Sequence, residues 1–481
     1  MLAEWEMFAG QTPNRARDPG LARARFLSTP GLREWARKGQ ERSTTLSSHR
    51  RFELLGRMAL EAELEHHPTI ARARSALQRQ LLHYRPPWKG RRVSPSYLGE
   101  RLLHESLRSA REAAYYAAER FHAGLEARVR ALIGMRNQRA KELGFRDYPE
   151  ARLSLEGLSA ARLRAMMEPF PGRLRPELLA LRDRFQDQTR LRGWFPWDAA
   201  YYAGMEDPAL PRKFPAREVI RAVLQGVRKW GFRDDVLRFR LTRHDTEIVG
   251  IEFPVDPPRD VRVIFYPRAG ALHYGILFHE VGHAVHARSV RAPTHLLRCH
   301  EFAASFAGFN EGVGGIFEDI PSTEGWLKNR GFLPRQVEAI RERSRAGRAL
   351  RVVELVGEIR DELRLYERPE APLREERARY LRHFVGYDAY DPPSWVDSFL
   401  VAPPVHRQSY FLAFLFGAQV MRTALSTVGG ELWPNARLGP WLTRTWFRPG
   451  ARYDWLPRVR EVTGRPLSGR EALAALAGVP G

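Results

Sequence analysis

Leu277-Phe278-His279-Glu280-Val281-Gly282-His283-Ala284-Val285-His286 is the stretch from which the fold can be inferred. On a helix, residues four apart are turned by only about 40°, so His279 and His283 project from one face. Two imidazole nitrogens at this spacing can bind one zinc ion. Glu280 is turned about 60° from His283, close enough to accept a proton from a zinc-activated water without binding the metal itself. The stretch predicts a zinc site with its own general base.

An alternative interpretation is a core helix whose histidines are simply buried and hydrogen-bonded. The apolar neighbours predict a buried helix, because six of them surround the polar residues: Ile276, Leu277, Phe278, Val281, Ala284 and Val285. Two histidines and a carboxylate are costly in such a helix unless they have partners. A metal ion supplies the partner, so zinc is the favoured interpretation.

A hydrolytic zinc site needs a third protein ligand and an open fourth position. The downstream candidates are Glu301, Glu311 and Glu318, with His295 and His300 less favoured. Glu311 lies in Phe309-Asn310-Glu311-Gly312-Val313-Gly314-Gly315, where small residues permit close approach of a second helix. We predict Glu311 as the third ligand, with Glu301 as the alternative.

Helical periodicity covers most of the chain around this stretch. Helical segments are predicted at Arg51–Leu82, Pro95–Leu143, Leu158–Met167, Pro176–Gln188 and Arg217–Trp230. Short β-branched or aromatic runs at Phe239–Thr242, Ile248–Phe253 and Val261–Tyr266 predict a small antiparallel sheet just before the zinc stretch. The fold class is therefore mainly α. We predict a single domain over residues 1–481, with an N-terminal segment 1–50, a helical lobe 51–235 and a zinc-binding catalytic lobe 236–481.

Arginine dominates the charge of the chain. Of the 481 residues, 78 are Lys or Arg and 56 are Asp or Glu, which gives a formal net charge of +22. Such a charge suggests a nucleic-acid partner. However, the arginines are spread along the whole chain and mixed with glutamates, and no zinc-finger cysteine pair occurs. We therefore predict no nucleic-acid partner.

The single cysteine, Cys299, excludes an intramolecular disulfide and a cysteine-rich zinc site. The first residues have neither the basic nor the apolar region of a signal peptide. The most apolar stretch, residues 410–421, is shorter than the roughly 20 residues that span a bilayer. These features predict a cytoplasmic protein without a membrane partner. They do not predict an oligomeric state.

The motifs resemble those of the Glu-zincin peptidases related to angiotensin-converting enzyme, thimet oligopeptidase and oligoendopeptidase F. Phe278 to His286 is similar to their FHExGHAxH stretch, and Phe309 to Gly314 is similar to the segment that carries their third ligand. Residues 131–148 resemble their LRNxxAxxLGFxNY helix, and residues 447–450 and 463–468 resemble their C-terminal turn and helix. The resemblance implies a two-lobed helical metallopeptidase with a central channel, which would limit substrates to short peptides.

The same resemblance assigns roles late in the chain. Tyr410 would donate a hydrogen bond to the oxyanion of the tetrahedral intermediate, and His406 or Arg407 would bind substrate carbonyl or carboxylate groups. One departure concerns an acid that orients a zinc-bound histidine in many such peptidases, because Gly315 stands at its position. We expect Asp319 or a backbone carbonyl to accept that hydrogen bond instead.

The sequence thus predicts a zinc-dependent peptidase in which Glu280 is the general base. Strand Val261–Tyr266 could pair with a peptide substrate by strand addition. Two alternatives remain open: a zinc hydrolase acting on a non-peptide amide, and a non-catalytic relative that binds peptides.

Overall fold

A computed structural model describes residues 19–204, 210–243, 250–298 and 306–477. Its contacts divide the chain into two compact units, each built from separated stretches. The first unit comprises Met1–Glu63, Asp207–Arg341 and Leu412–Ala472. The second comprises Leu64–Glu206, Glu342–Phe411 and Leu473–Gly481. The division of one domain after residues 50 and 235 stays a prediction.

The described chain is mainly helical, as predicted. In chain order the α-helices are α1 (Pro19–Leu27), α2 (Leu32–Glu41), α3 (Leu46–Glu65), α4 (Pro68–His83), α5 (Pro95–His104), α6 (Arg108–Tyr116), α7 (Glu119–Ala123), α8 (Glu126–Glu142), α9 (Tyr148–Ser154), α10 (Ala160–Met167), α11 (Pro169–Thr189), α12 (Pro196–Gly204), α13 (Leu210–Lys213), α14 (Val219–Arg228), α15 (Ala271–Ser289), α16 (His295–Arg298), α17 (Ala307–Glu318), α18 (Glu324–Asn329), α19 (Pro334–Glu367), α20 (Leu373–Val385), α21 (Ser398–Val401), α22 (Arg407–Val428), α23 (Leu438–Leu442), α24 (Trp455–Thr463) and α25 (Arg470–Leu476).

Three of the predicted helical segments differ from the observed helices. The run Arg51–Leu82 is two helices, α3 and α4. The run Pro95–Leu143 is four helices, α5 to α8, rather than one. Conversely, α11 begins at Pro169 and continues through Pro176, which we expected to start the helix. The lost backbone hydrogen bond at Pro176 is outweighed because Phe170, Leu174 and Leu178 are all buried.

The described strands form two small sheets. A two-residue hairpin pairs β1 (Pro87–Trp88) with β2 (Arg91–Arg92). The larger sheet has the order β3 (Arg240–Thr242), β5 (Asp260–Phe265), β4 (Gly250–Asp256). β4 and β5 are antiparallel, as predicted, whereas β3 and β5 are parallel, so the prediction of an antiparallel sheet is wrong for that pair. β4 and β5 form a hairpin, so β4 occupies one edge of β5. Only the other edge of β5 remains for pairing with β3.

Each unit has its own buried core. In the first unit, Phe278 of α15 packs edge-to-face on Trp326 of α18, with ring centroids 5.2 Å apart. In the second unit, Trp194 is fully buried beside Phe185, at 4.9 Å, and Tyr387, at 6.0 Å. The first core surrounds α15 and thereby fixes the helix that carries the two predicted zinc ligands.

Helix α22 is long and apolar enough to cross a membrane by length and composition alone, with a mean hydropathy of 1.4. Half of that apolar window is buried within the protein. A single helix of this kind is weak evidence for a membrane span, because core helices of globular proteins have the same composition. The absence of a membrane partner stays a prediction.

Candidate metal centre

The central part of helix α15 is buried except for three polar side chains. Between Leu277 and Ala287 every residue is buried apart from His279, Glu280 and His283, which are partly accessible. The rings of His279 and His283 lie 4.7 Å apart and are inclined by 76°. The spacing of four residues therefore places both imidazoles on one face, as predicted, and that face is the part of the helix that can reach a ligand.

The glycines of α17 explain how a second helix comes close to this face. A Cβ atom at Gly314 would lie 2.5 Å from Nε2 of His279, and one at Gly312 would lie 2.6 Å from the Phe416 ring. On α15, a Cβ atom at Gly282 would lie 2.9 Å from Phe317. Any side chain at these three positions would push the helices apart. Gly314 and Gly282 are thus needed for the contact between α15 and α17, and Gly312 for the contact of α17 with Phe416 of α22.

Glu311 completes a group of three possible metal ligands. One ligand atom from each of His279, His283 and Glu311 lies within 4.8 Å of the other two. The distance from Nε2 of His279 to Oε2 of Glu311 is 3.5 Å. Two ligand atoms bound to one tetrahedral zinc at about 2.0–2.1 Å are about 3.3 Å apart. The spacing and the two-nitrogen, one-oxygen donor set therefore fit zinc.

Glu318 is the hydrogen-bond partner of His279. Its Oε2 lies 2.9 Å from Nδ1 of His279, which fixes the ring orientation and leaves Nε2 directed at Glu311. The sequence suggested Asp319 or a backbone carbonyl for this role, and that expectation is wrong for His279. Glu318 was considered only as a third ligand. Its place seven residues after Glu311, on the same face of α17, is the signal that could have identified it.

The two histidines have opposite pKa shifts. Burial lowers the pKa of His279, but hydrogen bonds to Glu311 and Glu318 outweigh it and hold that pKa well above its usual value. Burial, reinforced by the nearby His279, lowers the pKa of His283 to about 3. The acids around His279 thus create a strongly negative environment that favours a cation at this position.

Glu280 faces the sheet. Burial raises its pKa to about 7, opposed by the nearby His279, and its carboxylate accepts a hydrogen bond from the backbone N–H of Glu252 on β4. A Cβ atom at Gly250, also on β4, would lie 2.9 Å from Cγ of Glu280. β4 therefore contacts Glu280 in two ways. The N–H of Glu252 donates a hydrogen bond to the carboxylate, and the missing side chain of Gly250 leaves room for it.

The arrangement of the sheet corrects one expectation about substrate binding. β5 is flanked by β3 on one edge and β4 on the other, so it has no free edge for strand addition. Among the described strands, β4 has a partner on one side only. Residues 263–265 of β5 are all buried, as expected of a central strand.

The remaining predicted site residues lie outside the group formed by His279, His283 and Glu311. Tyr410 and His406 belong to the second unit, where their rings lie 5.6 Å apart, and their roles stay predictions. Glu301, the alternative third ligand, lies outside the described residues, as do His300 and Cys299. His295 lies on α16 with Nδ1 3.6 Å from Asp256.

Comparison with known proteins finds similarity in structure only. No protein-family model and no curated protein matches the chain. The M32 carboxypeptidase from Deinococcus radiodurans R1 superposes with a TM-score of 0.64 at 16% identity, covering 99% of this chain and 96% of that one. Metallocarboxypeptidase 1 of Trypanosoma cruzi gives a TM-score of 0.68 at 14% identity, covering 98% and 93%. The chain therefore shares the mainly helical fold of these two proteins. The narrower resemblance to the angiotensin-converting enzyme group stays a prediction.

The other motifs that carried the resemblance have structural roles. Asn137 accepts a hydrogen bond from the backbone N–H of Tyr148, at 3.0 Å, and donates one to the carbonyl of Tyr366, at 2.8 Å. In the first unit, the Arg448 carbonyl accepts from the N–H of Arg291, at 3.0 Å, just after α15. These residues join elements within each unit.

Proposed function

We propose that the protein is a zinc-dependent peptidase that shortens peptides from their C-terminal end. The observation that carries the proposal is the convergence of His279, His283 and Glu311 within 4.8 Å on the one accessible face of a buried helix. The metallopeptidase fold supports peptide hydrolysis. Both structural neighbours are carboxypeptidases by name, which supports cleavage at the C-terminus.

His279, His283 and Glu311 would hold the metal ion, and Glu318 would keep the His279 ring oriented toward it. When bound, zinc lowers the pKa of water toward neutrality and polarises a carbonyl oxygen. Glu280 would accept the proton of the attacking water and deliver it to the leaving amine. Its hydrogen bond to the N–H of Glu252 would orient the carboxylate for both transfers.

Two features of the substrate site belong to the same proposal. We infer that an extended peptide aligns along β4, whose backbone adjoins Glu280, rather than along the central strand β5. By resemblance to the Glu-zincins, Tyr410 would donate a hydrogen bond to the developing oxyanion. His406 would contact the substrate carbonyl. We also place the activity in the cytoplasm.

The test compares Glu280→Gln with the wild type on a panel of short peptides, with products identified by mass spectrometry. Glu280→Gln should retain zinc but lose about 100-fold or more in kcat, since general-base catalysis contributes roughly 10²–10⁴-fold. His283→Ala should lose both zinc and activity. Glu370→Gln, at an exposed position, is the matched control and should behave as wild type. Unchanged hydrolysis by Glu280→Gln would overturn the proposal, and internal cleavage would overturn its C-terminal mode.

A further inference from the structure

Tyr410 and His406 form one aromatic cluster with Phe399 of α21. The Tyr410 ring lies 5.6 Å from His406 and 6.1 Å from Phe399, edge-to-face in both cases. Tyr410 is 37% exposed, whereas Ser409 and Phe411 on either side are fully buried. Tyr410 therefore reaches the surface from a segment whose neighbouring residues are buried. The orientation of the cluster depends on the turn at residues 402–406, which joins α21 to α22.

The turn contains a backbone conformation that its sequence does not favour. Val405 has φ +48°, in the left-handed region where β-branched residues are strongly disfavoured, and its side chain is 2% exposed. Such a conformation persists only where surrounding interactions impose it. Val405 immediately precedes His406, so this conformation sets the direction in which α22 begins.

Glu362 of α19 supplies the interaction that imposes it. The Glu362 carboxylate accepts a hydrogen bond from the backbone N–H of Val405, at 2.7 Å, and is only 3% exposed. Arg407, itself 5% exposed, lies 3.5 Å from the same carboxylate and also contacts Glu358 and Asp397. Gln408 closes the turn by donating to the Val405 carbonyl, at 2.6 Å. A buried carboxylate thus binds the N–H of Val405, and a buried amide binds its carbonyl.

Arg136 fixes the other end of the turn. Its fully buried guanidinium donates to the carbonyls of Leu400 and Val401, at 2.8 and 2.7 Å. These are the last carbonyls of α21, which have no partner within that helix. Arg136 lies in the stretch that resembles the Glu-zincin helix motif, so this part of the motif has a definite task.

We propose that Glu362 is a positioning residue for the reaction, acting through the backbone of Val405 to orient Tyr410 and His406. This inference rests on the proposed function, because it assumes that those two side chains contact the substrate. Burial raises the pKa of the Glu362 carboxyl, and Arg407 opposes that rise. A charged carboxylate in the core costs free energy of folding that an apolar side chain there would not. The strained residue beside it accounts for its presence.

The test is a double-mutant cycle between Glu362→Ala and Val405→Gly, because glycine adopts positive φ without strain. Glu362→Ala should lower kcat by about 10-fold or more with little change in KM, since an oxyanion donor is worth roughly 10²–10³-fold and would be only partly displaced. Adding Val405→Gly should restore most of the loss. Glu354→Ala is the matched control, since this glutamate on the same helix accepts a hydrogen bond from Tyr387, at 3.1 Å, whereas Glu362 accepts from the Val405 backbone.

A second readout does not depend on activity. With 3-fluorotyrosine at position 410, the ¹⁹F resonance should shift in Glu362→Ala, return in the double variant, and stay in place in Glu354→Ala. Glu362→Gln keeps an oxygen acceptor for the Val405 N–H and should retain the wild-type resonance. An unshifted resonance in Glu362→Ala, or equal losses of kcat in Glu362→Ala and Glu354→Ala, would overturn the inference. A wild type without peptidase activity would overturn the proposed function alone, and the resonance would still decide the positioning role.

Discussion

The α15–α17 pair and the turn at residues 402–406 present side chains by opposite means. In the pair, two regular helices meet through glycines, and Gly314 lets the His279 ring lie against its backbone. In the turn, Val405 is held at φ +48° by Glu362, Arg407 and Gln408. The pair therefore orients ligands through backbone shape, whereas the turn depends on buried polar and charged side chains, of which Glu362 is distant in sequence.

The two regions should therefore be sensitive to different kinds of substitution. The metal centre should fail when volume is added, because its helices have no room to separate. The region of the turn should lose stability when charge is removed, because buried ions left without partners are strongly destabilising. A change of volume or charge in one region should therefore affect that region and leave the other unchanged.

The largest effect is expected from Gly314→Ala. The new Cβ would lie 2.5 Å from Nε2 of His279, so the ring must move by about an ångström, and metal affinity should fall about 100-fold or more. Overpacking should also cost about 1–3 kcal/mol in the free energy of unfolding. Zinc titration with a competing chelator measures the first effect, and urea unfolding measures the second.

Gly315→Ala is the matched control for that experiment. It adds the same methyl one residue later in the same helix, where no atom of the described residues outside that helix lies within 4 Å of the new Cβ. It should bind zinc as wild type does and gain about 0.5–1 kcal/mol, since alanine favours helix over glycine. Equal zinc binding by both variants would show that close backbone contact does not orient His279.

The next largest effect is expected from Glu65→Gln, which removes charge beside the turn. Glu65 accepts hydrogen bonds from Arg74, at 2.9 Å, and Tyr148, at 2.6 Å, and lies 3.3 Å from Arg136, the residue that holds α21. Burial alone would raise the pKa of Glu65, but these partners hold it below its usual value. Breaking such a buried pair should cost about 3 kcal/mol near pH 7.

The pH dependence of that loss has a defined sign. Because the pKa of Glu65 is lower in the folded state, its contribution is complete above the unfolded-state pKa near 4.5 and is lost as the pH falls through the folded-state value. Urea unfolding at pH 7 and pH 3 should show the gap between wild type and Glu65→Gln shrinking at the lower pH. A gap that stays constant would mean that Glu65 does not act as a carboxylate.

A smaller effect is expected from Glu318→Gln, which removes charge from the pair instead of the turn. The amide can still accept from Nδ1 of His279, but more weakly, so zinc affinity should fall about 10–100-fold. The fold should be unaffected, because the Glu318 side chain is 47% exposed. Chelator competition measures the affinity, and unchanged affinity would assign the orientation of His279 to helix packing alone.

The two regions also differ in how far the sequence predicts them. His279, Glu280 and His283 follow from helical spacing, and the glycines near Glu311 indicate a close helix contact. The role of Glu318 could not be predicted without knowing how α15 and α17 pack. The parallel pairing of β3 with β5 could not be predicted from short β-branched or aromatic runs, which do not indicate strand direction. The turn could not be predicted, because a valine gives no sign of a positive φ and its partners lie 43 or more residues away in Glu362 and Arg136.

The most direct test of the account is the zinc stoichiometry of wild type, Glu311→Gln and Glu301→Gln, measured by elemental analysis after dialysis against a graded series of chelator concentrations. We predict one zinc per wild-type chain. Glu301→Gln should retain zinc almost as well as the wild type, and Glu311→Gln should lose it at a much lower chelator concentration. Retention by Glu311→Gln together with loss by Glu301→Gln would contradict the assignment of His279, His283 and Glu311 as the metal centre.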